Sequence, residues 1–147
     1  MTPRLFTFTA KADGTLNGYA KSWNAGPGAW ERDRVELTSG DYNGDRRADA
    51  AVMYRHDEGV TSLHTSLAKT DGGFQAPVEE YRSGAGNWYA SSSGIPVSGD
   101  ADGDGREDIL IMYNYATGAT RTFTFSTGED GTFGNPRRSW YAEPGTW

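Results

Sequence analysis

The chain repeats itself, and the repeat limits its fold more than any single residue does. Ser39-Gly40-Asp41-Tyr42-Asn43-Gly44-Asp45 returns 59 residues later as Ser98-Gly99-Asp100-Ala101-Asp102-Gly103-Asp104, and Met53-Tyr54 returns as Met112-Tyr113 at the same offset. A second motif occurs three times, as Asp13-Gly14-Thr15-Leu16, Asp71-Gly72-Gly73-Phe74 and Asp130-Gly131-Thr132-Phe133. An aromatic residue follows each (Trp23, Tyr81, Trp140), and seven residues on comes the Trp of a Gly-x-Trp: Trp30, Trp88 and Trp147. A fixed period means one structural unit copied along the chain, each copy burying a face against the next. The chain therefore reads as one module over 1–147, made of a half unit (1–30) and two full units (31–88 and 89–147).

The unit is built of strands. In the last copy they are expected over 93–98, 109–115, 120–127 and 136–142. Arg121-Thr122-Phe123-Thr124-Phe125 and Leu5-Phe6-Thr7-Phe8-Thr9 alternate with period two, so each has two distinct faces. Phe6, Phe8, Phe123 and Phe125 are expected in the core. Ile109-Leu110-Ile111-Met112-Tyr113 is apolar on both faces, as an inner strand covered on both sides would be. Ala116-Thr117-Gly118 and Glu129-Asp130-Gly131 supply hairpin turns. No stretch has a 3.6-residue period. Twenty glycines, 13% aromatics and 35% apolar residues fit many short strands joined by tight turns. The reading is an all-β fold of β-propeller blades, with about two and a half four-stranded antiparallel blades per chain. That number cannot close a ring of four to eight blades. Completion by oligomerisation of several copies is expected; a second chain, or a fragment or engineered origin, are the alternatives.

Charge and cysteine content narrow the functions. The formal charge is −6, which argues against nucleic acid and anionic membranes as partners. The longest apolar run is five residues, so no helical membrane insertion is expected, and Met1-Thr2-Pro3-Arg4 has no apolar signal-peptide core. Zero Cys excludes disulfides, thiolate metal sites and cysteine nucleophiles.

The sharpest chemistry lies in two acidic loops. Asp100-x-Asp102-Gly103-Asp104-Gly105-Arg106-Glu107-Asp108 is matched by Asp41-x-Asn43-Gly44-Asp45-Arg46-Arg47-Ala48-Asp49. Oxygen-bearing side chains stand at positions 1, 3, 5 and 9, and like charges so close repel unless a cation gathers them. Ca²⁺ is a hard ion that takes six to eight oxygens. Gly at position 4 lets the loop curl, and the backbone carbonyl of Arg47 or Arg106 at position 7 is a further expected ligand. The expected metal set is thus Asp41, Asn43, Asp45, Arg47 and Asp49, and Asp100, Asp102, Asp104, Arg106 and Asp108, with about two structural Ca²⁺ per chain. An EF-hand is excluded, because position 12 is Val52 or Ile111 in a strand rather than Glu. Asn43 and Arg46 make the first loop the weaker one; the competing reading is a solvated Asp/Gly turn.

These loops, followed by Ile-Leu-Ile-Met-Tyr, resemble the FG-GAP/VCBS repeat, the calcium-loop blade of integrin-α-type β-propellers. The likeness covers both full units, and the half unit fits the outer two strands of such a blade. It implies a structural calcium between the first two strands of each blade and a secreted or cell-surface location. Several bacterial and fungal members are lectins.

The recurring Gly-x-Trp segment is the candidate ligand site. Trp30, Trp88 and Trp147, with Asn87 and Tyr89 nearby, could offer a flat aromatic floor and polar groups to a sugar, the general recipe for a small-ligand pocket. Packing between neighbouring units is the competing role. His56 and His64 have no partner at metal-ligand spacing, and no paired carboxylates, Ser-His-Asp order or phosphate loop stands out. The expected function is a calcium-stabilised propeller lectin that binds glycans and does not catalyse. The alternatives are a protein-interaction or adhesion scaffold, or a non-catalytic module of a secreted enzyme.

Overall fold

The alternating segments and Gly turns of the sequence form antiparallel strands in a computed structural model that describes residues 4–26, 30–89 and 92–146. The fold is all-β, with a short 3-10 turn over Arg32–Arg34 before the first four-stranded sheet. β1 (Arg4–Thr7) and β2 (Ala20–Asn24) make a two-stranded hairpin. β3 (Val35–Gly40), β4 (Asp49–Arg55), β5 (Thr61–Ser66) and β6 (Val78–Arg82) make one four-stranded sheet. β7 (Val97–Gly99), β8 (Asp108–Asn114), β9 (Thr120–Phe125) and β10 (Arg137–Ala142) make another. In every sheet each strand pairs with the next along the chain, which short hairpin connections favour.

Register brings repeated residues to repeated places. Met53 lies opposite Leu63, and Leu63 opposite Tyr81, so the three form a row across β4, β5 and β6. Met112, Thr122 and Trp140 form the matching row across β8, β9 and β10. On the reverse face of the second sheet Ile109 pairs with Phe125 and Ile111 with Phe123. The sheets stack so that the Met53–Leu63 row meets that reverse face, and Met53, Leu63, Ile109, Ile111 and Phe125 share one buried core. Tyr81 packs edge-on against Phe125 with ring centroids 5.2 Å apart. Each such side chain taken from water contributes about 1.5–3 kcal/mol. At the inner edge Thr38 Oγ1 and Tyr42 Oη both meet Ser98 Oγ, at 2.9 and 2.8 Å.

Three expectations need correction. Phe123 and Phe125 are in or against the core, but Phe6 and Phe8 are 41% and 54% exposed. The hairpin turns Leu5 and Trp23 toward the first sheet, so Phe6, next along the alternation, points away. Strand β8 is covered on one face only, because Met112 is 46% exposed at the outer face of the stack. The strand expected over 93–98 shrinks to Val97–Gly99 plus a single bridge from Ser93 to Tyr113. Pro96 supplies no N–H to continue the ladder. Among the described residues no helix is long and apolar enough to cross a membrane.

Candidate metal centre

Each acidic loop joins the first two strands of a four-stranded sheet: 41–48 between β3 and β4, 100–107 between β7 and β8. The loops are built by the same bonds. Asp41 Oδ1 accepts from Asp45 N at 3.0 Å and Oδ2 from Arg46 N at 2.6 Å. Asp100 Oδ1 accepts from Asp104 N at 3.2 Å and from Gly103 N at 2.6 Å, and Oδ2 from Gly105 N at 3.0 Å. Asn43 and Asp102 accept the N–H of position 5 at 3.1 and 3.2 Å. Asp45 and Asp104 accept the N–H of position 7 at 2.9 and 2.8 Å. The chain curls because positions 4 and 6 are left-handed: Gly44 and Gly103 have φ of 74° and 82°, Arg46 and Gly105 have 67° and 87°. Glycine adopts that region freely, whereas a side chain such as Arg46 costs about 1–2 kcal/mol there.

This curl gathers the carboxylates. One oxygen from each of Asp100, Asp102 and Asp104 lies within 4.8 Å of the others, on an exposed surface. An all-oxygen set of that kind suits a hard cation such as Ca²⁺ or Mg²⁺. In the first loop Asn43 replaces one carboxylate, and its Nδ2 donates to Asp45 Oδ2 at 3.0 Å. Backbone N–H groups, first of Gly105 and then of Gly103, hold the Asp100 carboxyl below its ordinary range.

Position 9 has a different environment. Asp49 is fully buried; its Oδ2 accepts from Tyr42 N at 3.0 Å and its Oδ1 from Ala68 N at 2.7 Å. Asp108 does the same for Ala101 N and Thr127 N at 3.2 and 3.0 Å. Each carboxylate staples the start of its loop to the segment after the third strand. Burial pushes both carboxyls up, and the N–H bonds pull them partly back.

Sequence reasoning missed the role of two side chains. Arg47 and Arg106, expected to offer carbonyls, send their guanidinium groups to Asp45 Oδ2 and Asp104 Oδ2. They act as built-in counter-ions, and the signal was one Arg at position 7 of both loops. The loops also touch: Glu107 N donates to the Asp41 carbonyl at 2.9 Å. Gly40 leaves room for Glu107, since a Cβ there would lie 2.1 Å from its Oε2.

The described residues among the expected ligand set lie in unlike surroundings. Trp88 is 4% exposed, ringed by Tyr113, Phe123 and Phe125, with its indole N–H bonded to Ser93 Oγ at 2.6 Å. Asn87 and Tyr89 on either side of it are exposed, Tyr89 with its ring against Gly59. Trp147, and Gly28 and Ala29 before Trp30, lie outside the described residues. Trp30 occupies the place of Trp88 one repeat earlier. Its ring stacks on Tyr54 at 5.8 Å and meets Trp23 and His64 at 5.0 Å each. Because the hairpin covers only part of the first sheet, an almost wholly apolar cleft of about 100 Å³ remains between Leu5, Trp23 and Trp30 on one side and Leu37 and Val52 on the other. Arg4, His64 and Ser66 are its polar members. Beside it, Ser62 Oγ bonds the Nε2 atoms of His56 and His64 at 2.9 and 2.8 Å, and burial pushes both imidazoles down.

Comparison with family models, with curated proteins and with solved structures gives no match.

Proposed function

We propose that this chain is a calcium-clamped segment of a β-propeller that works by binding a protein surface and does not catalyse. In this reading the sheets β3–β6 and β7–β10 are blades, and the β1–β2 hairpin is the outer half of another. Asp100, Asp102 and Asp104 hold one Ca²⁺, and Asp41, Asn43 and Asp45 hold a second more weakly, with the Arg47 and Arg106 carbonyls as further ligands. Asp49 and Asp108 fasten each loop to its sheet. The ions supply charge neutralisation: each adds +2, taking the formal charge from −6 to −2. The reading sets the chain in a secreted or cell-surface location, where even the weak calcium sites of extracellular modules are filled.

The observation that carries the reading is one loop built twice by the same hydrogen bonds, with the acidic side chains of the second copy converging. A ligand that binds only the folded state raises its stability, by about 2.7 kcal/mol at a hundredfold excess over Kd. For a chain of this size that is about 5–10 °C in Tm per filled site. Calorimetric melts in calcium, in magnesium and in chelator test it. The expected order is calcium highest and chelator lowest, whereas identical transitions in all three sink the metal reading.

A protein partner is favoured over a sugar because Trp88 has no open face and the Trp23–Trp30 cleft is lined almost entirely by apolar groups. Sugar recognition needs several fixed polar groups beside an aromatic floor. The glycan reading keeps one supporting feature, the half-buried Trp30 with Arg4 and His64 at the same cleft. A glycan array with calcium present separates the two, and no binding at any glycan density leaves only the protein partner.

A further inference from the structure

The two outer faces of the stack expose large apolar side chains, which a monomeric protein seldom leaves in contiguous patches. On the hairpin, Phe6 and Phe8 stand with Tyr19, whose ring lies 5.1 Å from Phe6 and 6.2 Å from Phe8. All three are exposed, at 41%, 54% and 66%. The far face of the second sheet exposes Met112 at 46%, on the row that Thr122 and Trp140 continue, and Val97 at 57%, opposite Leu110.

The repeat shows what each face is built to meet. Aligned on the Asp-Gly turns, Phe6 and Phe8 are the counterparts of Phe123 and Phe125, and the row of Met112 is the counterpart of the row of Met53. Inside the chain those counterparts pack on each other: Met53, Leu63 and Tyr81 cover Phe125. The charges agree. Arg4, Lys11 and Lys21 against Asp13 leave residues 1–30 at +2, whereas eight acidic and four basic residues leave 89–147 at −4. Resting on the repeated-blade reading, we infer that a second copy of this chain docks head to tail, its Met112 face seated on the Phe6–Phe8 face of the first. The contact continues the interface already present between the two sheets. It is heterologous, so a pair keeps one free head and one free tail, and association propagates until it closes or stops.

The test is the mass of the chain in solution, by light scattering over a concentration series. Wild type is expected to exceed 16.0 kDa and to grow with concentration. Phe8→Glu spoils the head and Met112→Glu the tail. Both sites are exposed, so each variant is expected to keep the wild-type far-ultraviolet dichroism, to lose in Tm only what association contributes, and to be monomeric alone. Mixed in equal amounts, the two still own one good head and one good tail, and a dimer that goes no further is expected. A wild-type monomer at millimolar concentration overturns the inference. So does association that survives either change, or a mixture that stays monomeric. A mixed dimer from a protein that calcium does not stabilise upholds this contact and removes the metal reading alone.

Discussion

Replacing Trp88 with alanine removes the side chain on which both the core and the expected ligand site were centred. In the structure its ring lies 5.6 Å from Tyr113, 5.1 Å from Phe123 and 5.9 Å from Phe125. A buried Trp removes about 150–250 Å² from water, worth about 4–6 kcal/mol at 25 cal/mol per Å². Measured Trp-to-Ala losses in cores run about 3–5 kcal/mol. The indole N–H bond to Ser93 is lost as well. About 4 kcal/mol corresponds to a Tm fall of about 10 °C or more in a chain of this length. Thermal melts by far-ultraviolet dichroism give the answer, with Trp88→Phe as the partial loss between wild type and alanine. An unchanged Tm in Trp88→Ala, coupled to loss of a ligand, would refute the packing role and make the ring a stacking platform.

The remaining predictions concern single sites. Asp49→Asn keeps one acceptor where two buried N–H groups need one each, and a loss of about 2–3 kcal/mol in urea melts is expected. Arg46→Gly relieves a left-handed side chain at φ 67° and is expected to stabilise by about 0.5–1 kcal/mol, with calcium affinity at the first loop raised. His64 sits where the other repeats have Phe6 and Phe123, and burial holds its imidazole below 6.5 against the pull of Glu79. The unfolded chain therefore binds that proton first. Stability is complete above pH 6.5 and falls as pH drops through the folded value. In His64→Phe that loss is expected to shrink in melts between pH 7 and 5, leaving the share of His56.

Much of the architecture was legible because repetition and alternation are local signals. The 59-residue offset marked out both four-stranded units, and the third and fourth strands of the last one lie within two residues of their expected bounds. The position-9 aspartates were expected in the metal set, and their buried oxygens tie loop to sheet by accepting backbone N–H groups. Coverage of faces was not legible. Phe6 and Phe123 carry the same pattern, and only the order of stacking decides that one is wrapped and the other bare. Likewise Trp30 and Trp88 read alike in sequence. Their neighbours distinguish them: Phe123 and Phe125 close over Trp88, while His64 and Ser66 leave Trp30 beside a cleft. The arginine counter-ions were hidden because a side chain two residues from its partner can turn either way.

Calcium titrated calorimetrically into chelator-treated protein tests the central claim most directly. Two unequal sites per chain are expected, the tighter one abolished by Asp104→Asn and the weaker one spared. Absence of saturable binding, or binding that Asp104→Asn leaves intact at both sites, would contradict the account.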